Sequence, residues 1–124
     1  MAADRDTTRG TTVPRLYDAS HRTDLVDWGV QPDAIEGVSR SSGRLVHKGP
    51  NNQPESGVWV CTPGRWRLHI PRDELCHFVA GRATYRSDTG EVIEITPATL
   101  VLFPAGWRGE CTVHETLRNT YLLA

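Results

Sequence analysis

The chain has 124 residues and a net charge of −1, from 14 Lys and Arg against 15 Asp and Glu. That length supports one domain with a core of its own but not two. The even mixture of signs gives no basic surface for nucleic acid, no apolar run approaches the ~20 residues of a membrane span, and the opening MAADRDTTRG lacks the apolar core of a secretory leader.

In chain order, Met1 to about Thr12 reads as a polar, disordered tail, with the folded domain over 13–124. Val13–Tyr17 suits a short edge strand, where Pro14 is tolerated. Ser20–Trp28 admits a single helical turn. Val38–Lys48 reads as a strand broken at Ser41-Ser42-Gly43, and Gly49–Pro54 as a loop. Beyond the centre of the chain, Arg82–Arg86 and Glu91–Ile95 form a hairpin closed by Ser87-Asp88-Thr89-Gly90. Thr96–Thr99 turns, Leu100–Phe103 is an apolar strand, and Pro104-Ala105-Gly106 turns again. Glu110–Val113 and Arg118–Leu123 complete the sheet. No segment sustains a helical period over ~10 residues, whereas short strands recur at the spacing of a sandwich or barrel. The expected fold class is all-β.

The stretch Gly57–Gly81 carries the densest chemistry. Thr62-Pro63-Gly64 is a turn, since Pro presets φ and Gly supplies a positive one. Arg65, Arg67 and His69 then alternate with Trp66, Leu68 and Ile70, the period of a two-faced strand. After Pro71-Arg72-Asp73, Glu74, Cys76 and Phe78 alternate with Leu75, His77 and Val79, and Gly81 ends the strand. Taking His69 and Glu74 to share a face makes that face the candidate site, with His77 pointing away from it. His21, His47 and His114 read as surface residues, and Trp59 and Trp66 as core or interface aromatics. Cys61, Cys76 and Cys111 are an odd number without a C-x-x-C pair, which argues against a disulfide framework or zinc knuckle and for a reducing cytoplasm. They read most simply as small buried hydrophobes.

Glu74 and Gly81, followed by a hairpin and the turn Pro104-Ala105-Gly106, resemble the two motifs of the cupin barrels. The resemblance is closer to the small cupins related to ureidoglycine aminohydrolase and to the ethanolamine-utilisation cupin. It runs through Gly57-Val58-Trp59, Thr62-Pro63-Gly64-Arg65, Glu74-Leu75-Cys76-His77, Phe103–Trp107 and Glu115-Thr116-Leu117-Arg118, and covers roughly Ala34 to Leu123. It implies a single-domain jelly-roll barrel, dimeric in most relatives, with a ligand cavity in the barrel mouth. Two departures stand out: Ala98-Thr99 replaces Gly-Asp, and Asn119 stands where relatives often carry Lys.

Metal-binding cupins supply three histidines and a carboxylate, and the resemblance puts Arg67, His69, Glu74 and Gly109 at those positions. Only His69 and Glu74 remain as ligands, short of the three or more that a tight site needs. Cys76 and Cys111 are possible substitutes. The expectation is therefore no required cofactor, or a weakly bound divalent metal. Without a metal, His69 can serve as acid or base, and Glu74 can orient its imidazole. Arg65 and Arg67 can clamp a carboxylate or phosphate, and Trp107 can cap the cavity. These roles suit isomerisation, dehydration or hydrolysis of a small polar or anionic metabolite. The alternative is a non-catalytic binding or accessory cupin with a decayed metal site, in which the same residues form a buried network. The partners expected are a small-molecule ligand and a second copy in a homodimer, with neither nucleic acid nor membrane.

Overall fold

The computed structural model describes residues 12–124, so the expected tail falls, apart from Thr12, outside the described residues. Nine strands make up this part of the chain: β1 Val26–Val30, β2 Ala34–Glu36, β3 Arg40–Lys48, β4 Glu55–Cys61, β5 Gly64–Ile70, β6 Glu74–Ser87, β7 Val92–Ile95, β8 Thr99–Phe103 and β9 Trp107–Leu123. The all-β expectation holds. Among the described residues no helix is long and apolar enough to cross a membrane.

Two long antiparallel strands organise the others. β9 has 17 residues and β6 has 14, and they pair along most of their lengths. The first part of β6 pairs with β8 and the last part with β7. On the far edge of β9, Trp107–Val113 pairs with β5 and Leu117–Leu123 with β4. β3 and β1 extend the β4 side, and β2 extends the β5 side. Each long strand thus belongs to two differently composed parts of one curled sheet, the arrangement of a jelly roll.

Continuity is where the sequence misled. Gly81 does not end a strand: β6 runs through it with irregular pairing between Phe78 and Ala83. Gly81 takes φ +88° there, which bends the strand without breaking it. Glu110–Val113 and Arg118–Leu123 are likewise parts of a single strand. Nor is β3 broken at Ser41-Ser42-Gly43, whose residues pair in order with Cys61, Val60 and Trp59. Gly43 is needed because a Cβ there would lie 2.3 Å from the Trp28 ring. No edge strand forms at Val13–Tyr17, and the chain turns at residues 17–21 instead of forming a helical turn.

Burial follows alternation on β5 and on the first part of β6. β5 turns Trp66 and Ile70 into the core with Leu68 partly buried, and leaves Arg67 and His69 exposed. Burying an aliphatic or aromatic side chain stabilises by about 1.5–3 kcal/mol, whereas burying an unpaired cation is strongly unfavourable. The apolar set therefore faces inward. β6 does the same with Cys76 and Phe78 inside and Leu75 and His77 outside. On the outer side, Arg118 donates to the carbonyls of Ala19 and Arg22, and Arg44 to that of Asp24. The N-terminal segment is thereby held against β3 and β9.

Candidate functional site

A cavity of about 260 Å³ lies inside the curled sheet, room for roughly eight or nine waters at ~30 Å³ each. Its position follows from register. Leu123 of β9 pairs with Glu55 of β4 on one side and Glu74 of β6 on the other. Strand alternation then aims both carboxylates, with Tyr121 and Asn119 of β9, to the inner face. Trp59 comes from β4, while Trp66, Leu68 and Ile70 of β5 form further wall. Phe103 belongs to an aromatic cluster, its ring centroid 4.8 Å from Tyr85 and 5.4 Å from Trp107.

The polar groups are few. The Tyr121 hydroxyl donates to Glu55 Oε2 at 2.8 Å, and the Cys76 thiol donates to Glu74 Oε2 at 3.4 Å. Trp59 Nε1 donates to Ser41 Oγ at 3.2 Å, and Ser41 donates in turn to Gln31, another lining residue. Two lining residues, each only 2% exposed, keep an unused polar atom: Trp66 Nε1 and Asn119 Oδ1 have no partner among the described residues. Such orphans inside a protein cost free energy unless something occupies them.

Burial raises the pKa of Glu74 above its ordinary 4.5, with the charge of Glu55 adding to the rise and the Cys76 hydrogen bond opposing it. Burial also pushes the Cys76 and Cys111 thiols far up, and Cys61 to about 11. All three are therefore neutral thiols, poor nucleophiles and poor ligands. A carboxyl with a raised folded pKa gives stability that is complete below the unfolded value and is lost as pH rises through the folded value. Glu74→Gln removes this dependence. Its melting temperature relative to the parent protein is expected to climb between pH 4 and pH 8. A constant difference across that range would show that Glu74 titrates as if exposed.

The structure brings together only part of the expected site. Glu74 and Cys76 face the cavity, and His77 points away, as the alternation on β6 requires. His69 does not join Glu74. It is exposed, on the face of β5 opposite the cavity-lining Trp66, Leu68 and Ile70. Arg67, on that outer face, forms a two-pronged pair with Asp88 at 2.9 and 3.0 Å. Arg65 meets Glu110 at 3.0 Å, and Glu36 lies 3.8 Å away. The anion clamp is thus corrected to surface ion pairs, each worth at most ~1 kcal/mol. Trp107 packs on Phe103 and Tyr85 and does not line the cavity, and Cys111 lies in the core. A metal fits poorly. The inner positions of β5 are apolar, and among the described residues no three His, Cys, Asp or Glu side chains are grouped to hold an ion.

Apart from Glu74 and Cys76, the lining residues escaped sequence reasoning in this role, Glu55, Trp59, Trp66, Asn119 and Tyr121 among them. The signal for Trp66 was available in the apolar set of β5. Asn119 and Tyr121 share the parity of Leu117 and Leu123 on β9, which marks them as inward once that strand is known to be continuous.

A family model described as the EutQ-like cupin domain matches residues 48–121. Among curated proteins none matches. Several solved structures share the fold. A protein of unknown function from Pseudomonas syringae pv. tomato, of the DUF861 family, superposes with a TM-score of 0.74 at 16% identity over 82% of this chain. The match spans 45% of that protein's length. The EutQ protein of Clostridium difficile gives a TM-score of 0.59 at 14% identity, covering 68% of each chain. A DUF861 family protein from Thermotoga maritima gives 0.53 at 25% identity, over 54% of this chain and 76% of its own.

Proposed function

The chain belongs to the EutQ-like cupin domain family, and from that premise we propose that it binds a small polar molecule in the barrel cavity, with Glu74 moving a proton to or from it. One observation carries this reading: a carboxyl with a raised pKa sits in a cavity whose walls are otherwise mostly aromatic and aliphatic. A general acid or base works best when its pKa approaches the working pH, and burial of this kind moves a carboxyl that way. The neutral Cys76 thiol beside it gives Glu74 a donor without competing for the proton. His69 has no part in this chemistry, because it lies outside the cavity.

A non-catalytic binding role is the second reading, favoured by the lack of any histidine in the lining. Three buried free thiols support a cytoplasmic setting. The homodimer belongs to the same proposal, and sedimentation at several concentrations checks it.

The test is an NMR screen of small amines, polyols and carboxylic acids against the whole chain. Ligands are expected to shift the indole signals of Trp59 and Trp66, and Leu68→Trp, which fills the cavity, is expected to abolish those shifts. Hits that perturb only Arg67 and His69 would move the site to the outer face and sink the proposal. If a ligand is turned over, Glu74→Gln is expected to cut the rate at saturating ligand by roughly 10²–10⁴. A parallel loss of affinity alone would favour the binding role.

A further inference from the structure

The charges in the cavity lining are all of one sign. Glu55 and Glu74 line it, whereas among the described residues no Lys, Arg or His does. Among the described residues neither carboxylate has a basic partner within salt-bridge distance, although Arg65, Arg67 and Arg82 on the outside of the barrel are each paired. Resting on the cavity reading above, we propose that the ligand is a small organic ammonium ion, held between Glu55 and Glu74 against the aromatic wall.

Three independent features point the same way. The first is charge: Glu55 lies near enough to Glu74 to disfavour its ionised form, and a cation between them would relieve that repulsion and let both carboxylates ionise. The second is the wall. Trp28, Trp59, Trp66 and Tyr121 present electron-rich rings, which attract ammonium groups and give nothing to a carboxylate. The third is hydrogen-bond polarity. Asn119, 98% buried by its 2% exposure, keeps an unpartnered acceptor, and each Glu accepts a single hydrogen bond from within the described residues. Acceptors seeking donors suit an N–H-bearing cation. Donors are present as well, in Trp66 Nε1, which has no partner among the described residues, and in the amide nitrogen of Asn119, and they suit a ligand oxygen carried beside the ammonium group. A metal ion does not meet the same requirements, because among the described residues no three His, Cys, Asp or Glu side chains converge to hold one, and the Cys76 thiol beside Glu74 is kept neutral by burial.

The inference sets a pH dependence. The titratable groups facing Glu74 are Cys76 and Tyr85 on its own strand, Glu55 from β4 and Tyr121 from β9. The thiol and both phenols are held neutral by burial, so Glu74 is the group that must lose a proton when the cation enters. Affinity for an amine that stays protonated is therefore expected to rise with pH above 4.5 until Glu74 is ionised.

Three molecules of similar length test the proposal on the full chain: n-butylammonium, butan-1-ol and butanoate. Titration followed at the indole signals is expected to show butylammonium binding at least tenfold more tightly than butan-1-ol, with no binding of butanoate. The signals of Trp28, Trp59 and Trp66 are expected to move more than that of Trp107, which lies outside the lining. The isosteric double variant Glu55→Gln/Glu74→Gln is expected to remove the preference for the cation. Equal or tighter binding of the alcohol or the anion in the parent protein would overturn the ammonium assignment and leave the cavity reading standing. If none of the three moves the lining indoles, while a screening ligand does, the ammonium assignment alone fails. If nothing ever moves them, both fail. The comparison among ligands needs only the parent protein, so it holds even if the double variant does not fold.

Discussion

Gly81→Val is expected to lower stability by about 3 kcal/mol or more, and to do so without touching the cavity lining. At φ +88° a β-branched residue is strained at the outset. A Cβ at this position would also sit 2.1 Å from the carbonyl oxygen of Thr116 and 2.8 Å from that of Glu115. Both obstacles are backbone atoms of β9, which cannot rotate away as a flexible side chain would. Relief requires β6 and β9 to separate where their register already shifts. Strain and overpacking each contribute on the order of 1–3 kcal/mol, a large share of the 5–15 kcal/mol typical of a domain. Urea unfolding measures the loss, and Gly81→Ala is expected to lie between the parent and the valine variant. A loss below ~1 kcal/mol would mean that β6 does not bend at this residue.

The same glycine shows what the sequence could and could not reveal. Strand positions, turns and the inward parity of Glu74, Cys76 and Phe78 followed from alternation and turn chemistry. What failed was continuity: Gly reads as a stop when only local propensity is available. Its role as a bend depends on a partner strand some thirty residues away, which no local window contains. The error at His69 had a different source. Alternation on β5 already separated Trp66, Leu68 and Ile70 from the polar set. Carrying the parity of His69 across Pro71-Arg72-Asp73 onto Glu74 drew the polar set inward, against the larger gain from burying the apolar one. The candidate site suffered most. A carboxylate at a strand start such as Glu55 looks like a solvated end residue until the sheet curls over it.

Phe103→Ala is expected to cost about 3–5 kcal/mol, the usual range for truncating a buried Phe. The ring is 2% exposed and packs between Tyr85 and Trp107. It also lines the cavity, so the space left by truncation joins an existing void instead of forming an isolated one. That connection separates two contributions. Stability falls because the aromatic neighbours lose their contacts, yet the cavity grows in a direction that leaves Glu55, Asn119 and Tyr121 in place. A bulkier ammonium such as phenethylammonium is then expected to gain affinity relative to butylammonium, while Phe103→Leu, which keeps much of the volume, loses less stability and changes the preference less. Thermal unfolding and the two titrations on the same samples decide the matter. A destabilised variant with unaltered size preference would place the ring in the core alone, and the boundary of the ligand site would then be drawn at Leu68 and Ile70.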